Sequence, residues 1–194
     1  MRSILTASIV LAIPFAGLAQ PFVALDVSDK LNYQIKQSIG PLALIGDAVY
    51  AGILQQSDTP VDWRQGGDAY GKRFGVTVAC SGIHSVLAFG LDSTLHEDPR
   101  YFRSGAGGFL RRTGHVFRGT ILTHTDRGTE TLSIWRLGSA YGAAYLADEW
   151  YPDRNQTVRL ALSEGSLQLG FDLASNLASE FWPDLKRRIQ RRKP

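Results

Sequence analysis

The stretch DAYGKRFGVTVACSGIHSVLAFGLDSTL, Asp68 to Leu95, decides the fold class of this chain. Tyr70, Phe74, Val78, Ile83, Leu87, Leu91 and Leu95 recur every four residues with one five-residue step, the spacing of a single stripe on an α-helix. A helix from Asp68 to Leu95 is predicted, with this stripe as its core face. Gln65-Gly66-Gly67 marks its start, and Asp68 is placed to serve as N-cap, its carboxylate accepting from free backbone N–H groups. Phe74 to Leu91 lacks Asp, Glu, Lys and Arg, which reaches the lower length for a membrane span. Thr77, Ser81, His84, Ser85 and three glycines dilute it.

Outward from this segment the regular apolar spacing stays helical. Further helices are predicted over Leu31 to Ser38, Pro41 to Gln56, Phe109 to Thr123, Leu132 to Trp150 and Thr157 to Phe181. Gly40-Pro41 separates the first two, because the residue before proline avoids the α region and proline suits a first helical turn. Thr125-Asp126-Arg127-Gly128-Thr129 forms a turn; the flanking Phe117 to Thr123 and Thr131 to Leu137 could alternatively pair as a hairpin, although helix is the favoured reading. Gly71 and Gly75, Gly138 and Gly142, and Ala140, Ala143, Ala144 and Ala147 give small surfaces at helical spacing. Glycine costs up to about 1 kcal/mol relative to alanine in a helix, so close helix contact is the expected compensation. The expected fold is all-α: one compact bundle of about five to six helices packed through Gly and Ala.

The chain begins with Arg2, an apolar run from Ile4 to Leu18, and Gly17-Leu18-Ala19 ahead of Gln20-Pro21, the pattern of a secretory signal. Residues 1–19 are thus expected to be a signal peptide and 20–194 a single helical domain. The alternative, a retained anchor, requires about 20 apolar residues, whereas this run is shorter and contains Pro14. Cleavage after Ala19 would leave 175 of the 194 residues and deliver the protein to the cell envelope or periplasm. Cys80 is the only cysteine, so no intramolecular disulfide can form, and the apolar Val76-Thr77-Val78-Ala79 before it reads as packing rather than as a nucleophile's setting.

The formal charge is +3, but Lys186, Arg187, Arg188, Arg191, Arg192 and Lys193 concentrate six positive charges at the end; removing these and Arg2 leaves −4 on the remainder. This basic tail (186–194) can meet anionic lipid head groups or simply be solvated. Export and the acidic remainder argue against nucleic acid. In Phe109 to Thr123, Arg111, His115 and Arg118 share one face and Leu110, Phe117 and Ile121 another, which suits a membrane interface, although a bundle helix showing water its polar side is the favoured reading. Asp47, Arg136, Arg159, Glu164 and Asp172 interrupt the other helices, and each would cost about 2.5–3.5 kcal/mol at a bilayer centre, which favours a compact bundle at the membrane periphery over an integral one.

Three segments, Leu95 to Tyr101, Asp148 to Arg154 and Glu180 to Asp184, combine acid, aromatic and proline where a helix is expected to stop. Arg100 and Arg154 can there meet a carboxylate or the free carbonyls of a helix C-terminus. Gly90-Leu91-Asp92 and Gly170-Phe171-Asp172 hint at a weak internal duplication. His96 with Glu97 or Asp98 is the candidate catalytic group of a hydrolase, since a histidine beside two carboxylates can transfer protons. Capping and salt bridging explain the same residues. There is no HExxH, phosphate-binding glycine loop or GxSxG elbow around Cys80-Ser81-Gly82, and neither metal nor cofactor is expected.

Tyr70 to Gly75, His96-Glu97-Asp98-Pro99-Arg100-Tyr101-Phe102-Arg103 and Trp150-Tyr151-Pro152-Asp153 resemble the signature segments of an uncharacterised family of exported bacterial proteins. The resemblance runs from about Asp29 to Arg187. It implies a single structural unit and supplies neither an activity nor catalytic residues. The leading expectation is therefore an envelope protein with a structural or binding role, attached through the tail and the Arg111–Arg118 face, with an integral membrane bundle and a His96 hydrolase as alternatives.

Overall fold

The computed structural model describes residues 22–105, 107–148 and 158–191. The predicted signal peptide, the Trp150-Tyr151-Pro152 exit, Arg192 and Lys193 lie outside those residues. Among the described residues six α-helices are formed, with one 3-10 turn at Val61–Trp63: α1 (Val27–Ile39), α2 (Pro41–Gln56), α3 (Gly67–Thr94), α4 (Phe109–Ile121), α5 (Ile134–Asp148) and α6 (Val158–Arg191). A two-stranded antiparallel sheet, β1 (Leu122–His124) with β2 (Glu130–Leu132), joins α4 to α5. The all-α bundle expected from the sequence is the observed architecture.

α1 and α2 lie antiparallel along α3 as one broken rod. The pairings descend in order: Lys30 Nζ donates to the Asp92 carbonyl at 3.1 Å, Ser81 donates to Asp47 at 2.8 Å, and Arg73 donates to Gln55 Oε1 at 2.5 Å. The break falls at Gly40, where a Cβ would collide with the carbonyl oxygen of Lys36, and Pro41 starts the next helix. α5 runs antiparallel to α3 on its other flank. Added Cβ atoms at Gly138 and Gly142 would sit 2.8 and 3.3 Å from Leu91 and Leu87, and Ala140, Ala143, Ala144 and Ala147 are buried, so this stripe packs closely as its spacing predicts. Gly71 and Gly75 do not; both face open space.

What fills the interior departs most from expectation. The buried stripe of α3 is Ala69, Arg73, Thr77, Ser85, Ala88 and Asp92, not the one carrying Tyr70, Phe74, Val78, Ile83, Leu87, Leu91 and Leu95, none of which is fully buried. α1 shows the same inversion. Lys30, Gln34 and Ser38, one helical turn apart, point inward, while Leu31, Ile35 and Ile39 on the adjacent stripe stay 42%, 42% and 60% exposed. Periodicity locates a stripe without saying which side is inside, and here polar ladders between helices hold the inner side.

Four boundaries also differ. α1 begins at Val27, capped by Asp26, rather than at Leu31. Asp68 does not cap α3; Gly66 takes the N-cap position without a side-chain bond, and Asp68 sits in the first turn, where its charge suits the helix dipole. The 109–137 region contains both rival structures in sequence: α4 ends at Ile121, then β1 turns through Thr125–Gly128 to β2, in the register Thr123 opposite Thr131. α6 continues through Pro183 to Arg191 rather than ending at Phe181. Proline withholds the N–H that would bond the Ser179 carbonyl one turn earlier, and beside this point Arg112 donates to the next carbonyl, that of Glu180.

Glu180 ties the HEDPRYFR loop and α4 to α6. Tyr101 OH, the Ser104 N–H and Arg112 Nε reach it at 3.0, 3.0 and 2.8 Å, and the guanidinium of Arg112 also pairs with Asp184 and lies 4.5 Å over the Phe181 ring. Burial pushes the Glu180 carboxyl up, but the bonds from Arg112, Tyr101 and Ser104 outweigh it and leave the group below its ordinary value.

Two outcomes are expected. Arg73, fully buried, donates to the carbonyls of Thr59, Pro60 and Arg64, so Arg73→Ala strands several acceptors; it should cost about 3 kcal/mol in denaturant titration and open the 57–64 loop to protease. Because the Glu180 pKa is depressed by folding, its stabilisation is full above the unfolded carboxyl's value of about 4.3. It disappears as pH falls through the lower folded value. Glu180→Gln should flatten that acid limb of the stability profile.

Candidate functional site

A cleft of about 370 Å³ opens between α2, α3, α5 and α6. α2 contributes Asp47 and Tyr50, α3 contributes Thr77, Ser81 and His84, and α6 contributes Glu164, Phe171 and Asp172. The alanines of α5, which let that helix approach α3, line its apolar side. Tyr50 and Phe171 meet edge-on with centroids 5.8 Å apart, an aromatic corner beside the acids.

The polar groups are unequally satisfied. Ser81 donates to Asp47 Oδ1, but Asp47 Oδ2 is buried and has no hydrogen-bond partner. Asp172 accepts from Gln168 at 3.2 Å and stands 3.7 Å from the Arg136 guanidinium. Arg136 itself caps α4, donating to the carbonyls of Gly119 and Thr120 at 3.2 and 3.0 Å. His84 Nε2 lies 3.1 Å from the Ser139 hydroxyl. Among the described residues no three His, Cys, Asp or Glu side chains converge to hold a metal ion. Cys80 borders the same cleft as a free thiol.

The His96, Glu97 and Asp98 candidates are placed separately. His96 is exposed at φ 57°, the left-handed residue that closes α3: the Glu97 N–H bonds back to the Asp92 carbonyl at 2.9 Å, and His96 Nδ1 lies 3.0 Å from the Ser93 carbonyl. Glu97 is buried and accepts from the Trp135 N–H at 3.0 Å, which caps α5; burial raises its pKa, against the opposing pull of the Trp135 and Ile134 N–H groups. Asp98 accepts from Arg100 Nε and Nη2 at 2.9 and 2.6 Å. Each side chain thus has a job at a helix end or a loop closure.

The basic candidates fall in two places. Arg118 pairs with Glu130 of β2, and that bond with the Arg118 charge holds the Glu130 carboxyl below its usual range, while Arg111 is exposed at the start of α4. Lys186, Arg187, Arg188 and Arg191 are exposed on the last turns of α6, with Arg187 3.4 Å from Asp184. Leu110, Phe117 and Ile121 on α4 face outward as well. Sequence reasoning passed over Asp47 as merely an interruption. The signal was its position, a single acid within the otherwise uncharged run from Pro41 to Gln56.

His96→Gly should leave stability equal or higher, since glycine enters the left-handed region without strain, whereas His96→Val should lose about 1 kcal/mol or more. Thermal unfolding of the pair distinguishes this helix-closing role from a catalytic one. No family model, curated protein or solved structure matches this chain.

Proposed function

We propose that the protein is a membrane-embedded helical bundle of the cell envelope, with a binding role centred on its polar interior. The observation that carries this reading is the inversion of burial. Val27–Gln56 and Gly67–Thr94 are long and apolar enough to cross a membrane: an 18-residue window in each has a mean hydropathy of 1.3 and 1.6. Only 22% and 17% of those windows is buried within the fold, so neither behaves as the core helix of a water-soluble bundle.

Energetics points the same way. Leu31, Ile35, Leu42, Ile45, Val49 and Ile53 form an outward apolar surface on α1 and α2, and Val86 on α3 is 71% exposed. Contiguous apolar surface of this extent marks an interaction or membrane face. The 28-residue α3 is about 42 Å long, more than the roughly 30 Å hydrocarbon core. Two of the charges within these helices are buried and face partners: Lys30 meets Asp126 at 2.9 Å, and Arg73 is sealed among carbonyls. The insertion cost of such residues, which in isolation favours peripheral attachment, falls when they are paired inside a bundle. The exposed basic end of α6 would then lie against anionic head groups, and the signal-like N-terminus supports delivery to the envelope.

Alkaline carbonate should leave the protein in native membranes, including a variant ending at Asp184; release of the full-length chain would reject embedding. A fluorophore on Val86→Cys, in a Cys80→Ser background, should be quenched by brominated acyl chains, and one on Gln65→Cys should not. Equal quenching at the two positions would count against the assigned lipid face.

A further inference from the structure

The geometry points to the α2–α3–α5–α6 cleft as a binding site for a small organic ammonium ion, one carrying N–H donors and a short alkyl portion. Asp47 lines the cleft, is only 8% exposed, and offers Oδ2 without any hydrogen-bond partner while Ser81 holds Oδ1 in place. A buried carboxylate oxygen left unmatched carries a desolvation cost that a charged donor removes. Glu164 and Asp172 also face the cleft; the facing cations are Lys36 at its edge and Arg136 behind Asp172, so carboxylates outnumber cations.

The kind of cation follows from what surrounds the acids. No three ligating side chains converge on a point among the described residues, which disfavours a bare metal ion. The Tyr50–Phe171 corner supplies ring faces that attract an alkylammonium. The α5 alanines supply a surface for its carbon chain. A volume of about 370 Å³ lies at the small end of the usual range of small-molecule sites. The site goes beyond the proposed embedding and does not depend on it, because it is formed by helix–helix contacts inside the bundle.

The test uses the full chain in detergent and two probes of nearly equal shape, 3,3,3-trifluoropropylammonium and 3,3,3-trifluoropropan-1-ol, followed by fluorine NMR. The ammonium should bind saturably to the wild-type protein and the alcohol should not. Asp47→Asn, isosteric but neutral, should weaken ammonium binding by about tenfold or more, with helical circular dichroism unchanged. Equal binding of alcohol and ammonium to the wild type would overturn the proposal, as would absence of saturable ammonium binding. Both of these results are read on the wild-type chain alone, so they hold even if the variant misfolds. Undiminished affinity in a folded Asp47→Asn would also overturn it.

Discussion

Lys30, completely enclosed between the Asp92 carbonyl and the Asp126 carboxylate, sets the constraint on which the rest of the bundle depends. A buried ammonium is tolerated only when paired and hydrogen-bonded. Its partners come from the far end of α3 and from the hairpin turn, so α1, α3 and the β1–β2 connection must dock together or not at all. Gln34 continues the ladder by donating to Asp92 at 2.7 Å, and Arg73 completes it at the opposite end of α3. With polar groups occupying the interior, the apolar faces of α1 and α2 have only the exterior left to them.

A second level of order rests on this ladder. Once α3 is fixed, α5 approaches it through Gly138 and Gly142, and its N-terminus is capped from α3's own exit by Glu97. α6 then lies against α5, where the Tyr141 ring covers Gly165 so closely that an added Cβ would collide with it. α4 closes the assembly through Arg112 on Glu180 and through Asn176 donating to Thr120 at 3.1 Å. The HEDPRYFR segment is the junction of these layers: Glu97 serves α5, Asp98 holds Arg100, and Tyr101 reaches α6. Dense chemistry in a short motif here reflects three structural tasks.

The sequence made the helices legible because their punctuation is strong. Gly40-Pro41 sets the α1–α2 break, and Pro41 and Gln56 bound α2 as predicted. The small-residue spacing of α5 correctly foretold close packing. The inner face of α3 was not legible, since the apolar stripe and the Arg73–Thr77–Asp92 stripe have the same period and only tertiary partners choose between them. The Pro183 exit misled for a related reason: Arg112 and Asp184, far apart in sequence, brace the helix across the proline. For the cleft, Asp47 was visible as an isolated acid, but its neighbours come from α3, α5 and α6 and no local pattern joins them.

The polar ladder and the outward apolar surface bear on each other energetically. Among lipid chains, burying apolar side chains against one another provides little association energy, because the tails are equally apolar. Helices then hold together through close backbone approach and interhelical hydrogen bonds, the two devices found between α3 and its neighbours in the Gly138–Leu91 contact and the Lys30, Gln34 and Arg73 bonds. In water the same arrangement would leave Val27, Ile39 and Val86 solvated while desolvating charges, both unfavourable. Asp47 fits neither medium as it stands, because Oδ2 lacks a donor from any helix around it. Where Lys30, Arg73 and Asp98 are each matched by an opposite charge or by backbone carbonyls, the Asp47 oxygen is where a ligand's charge has most to contribute.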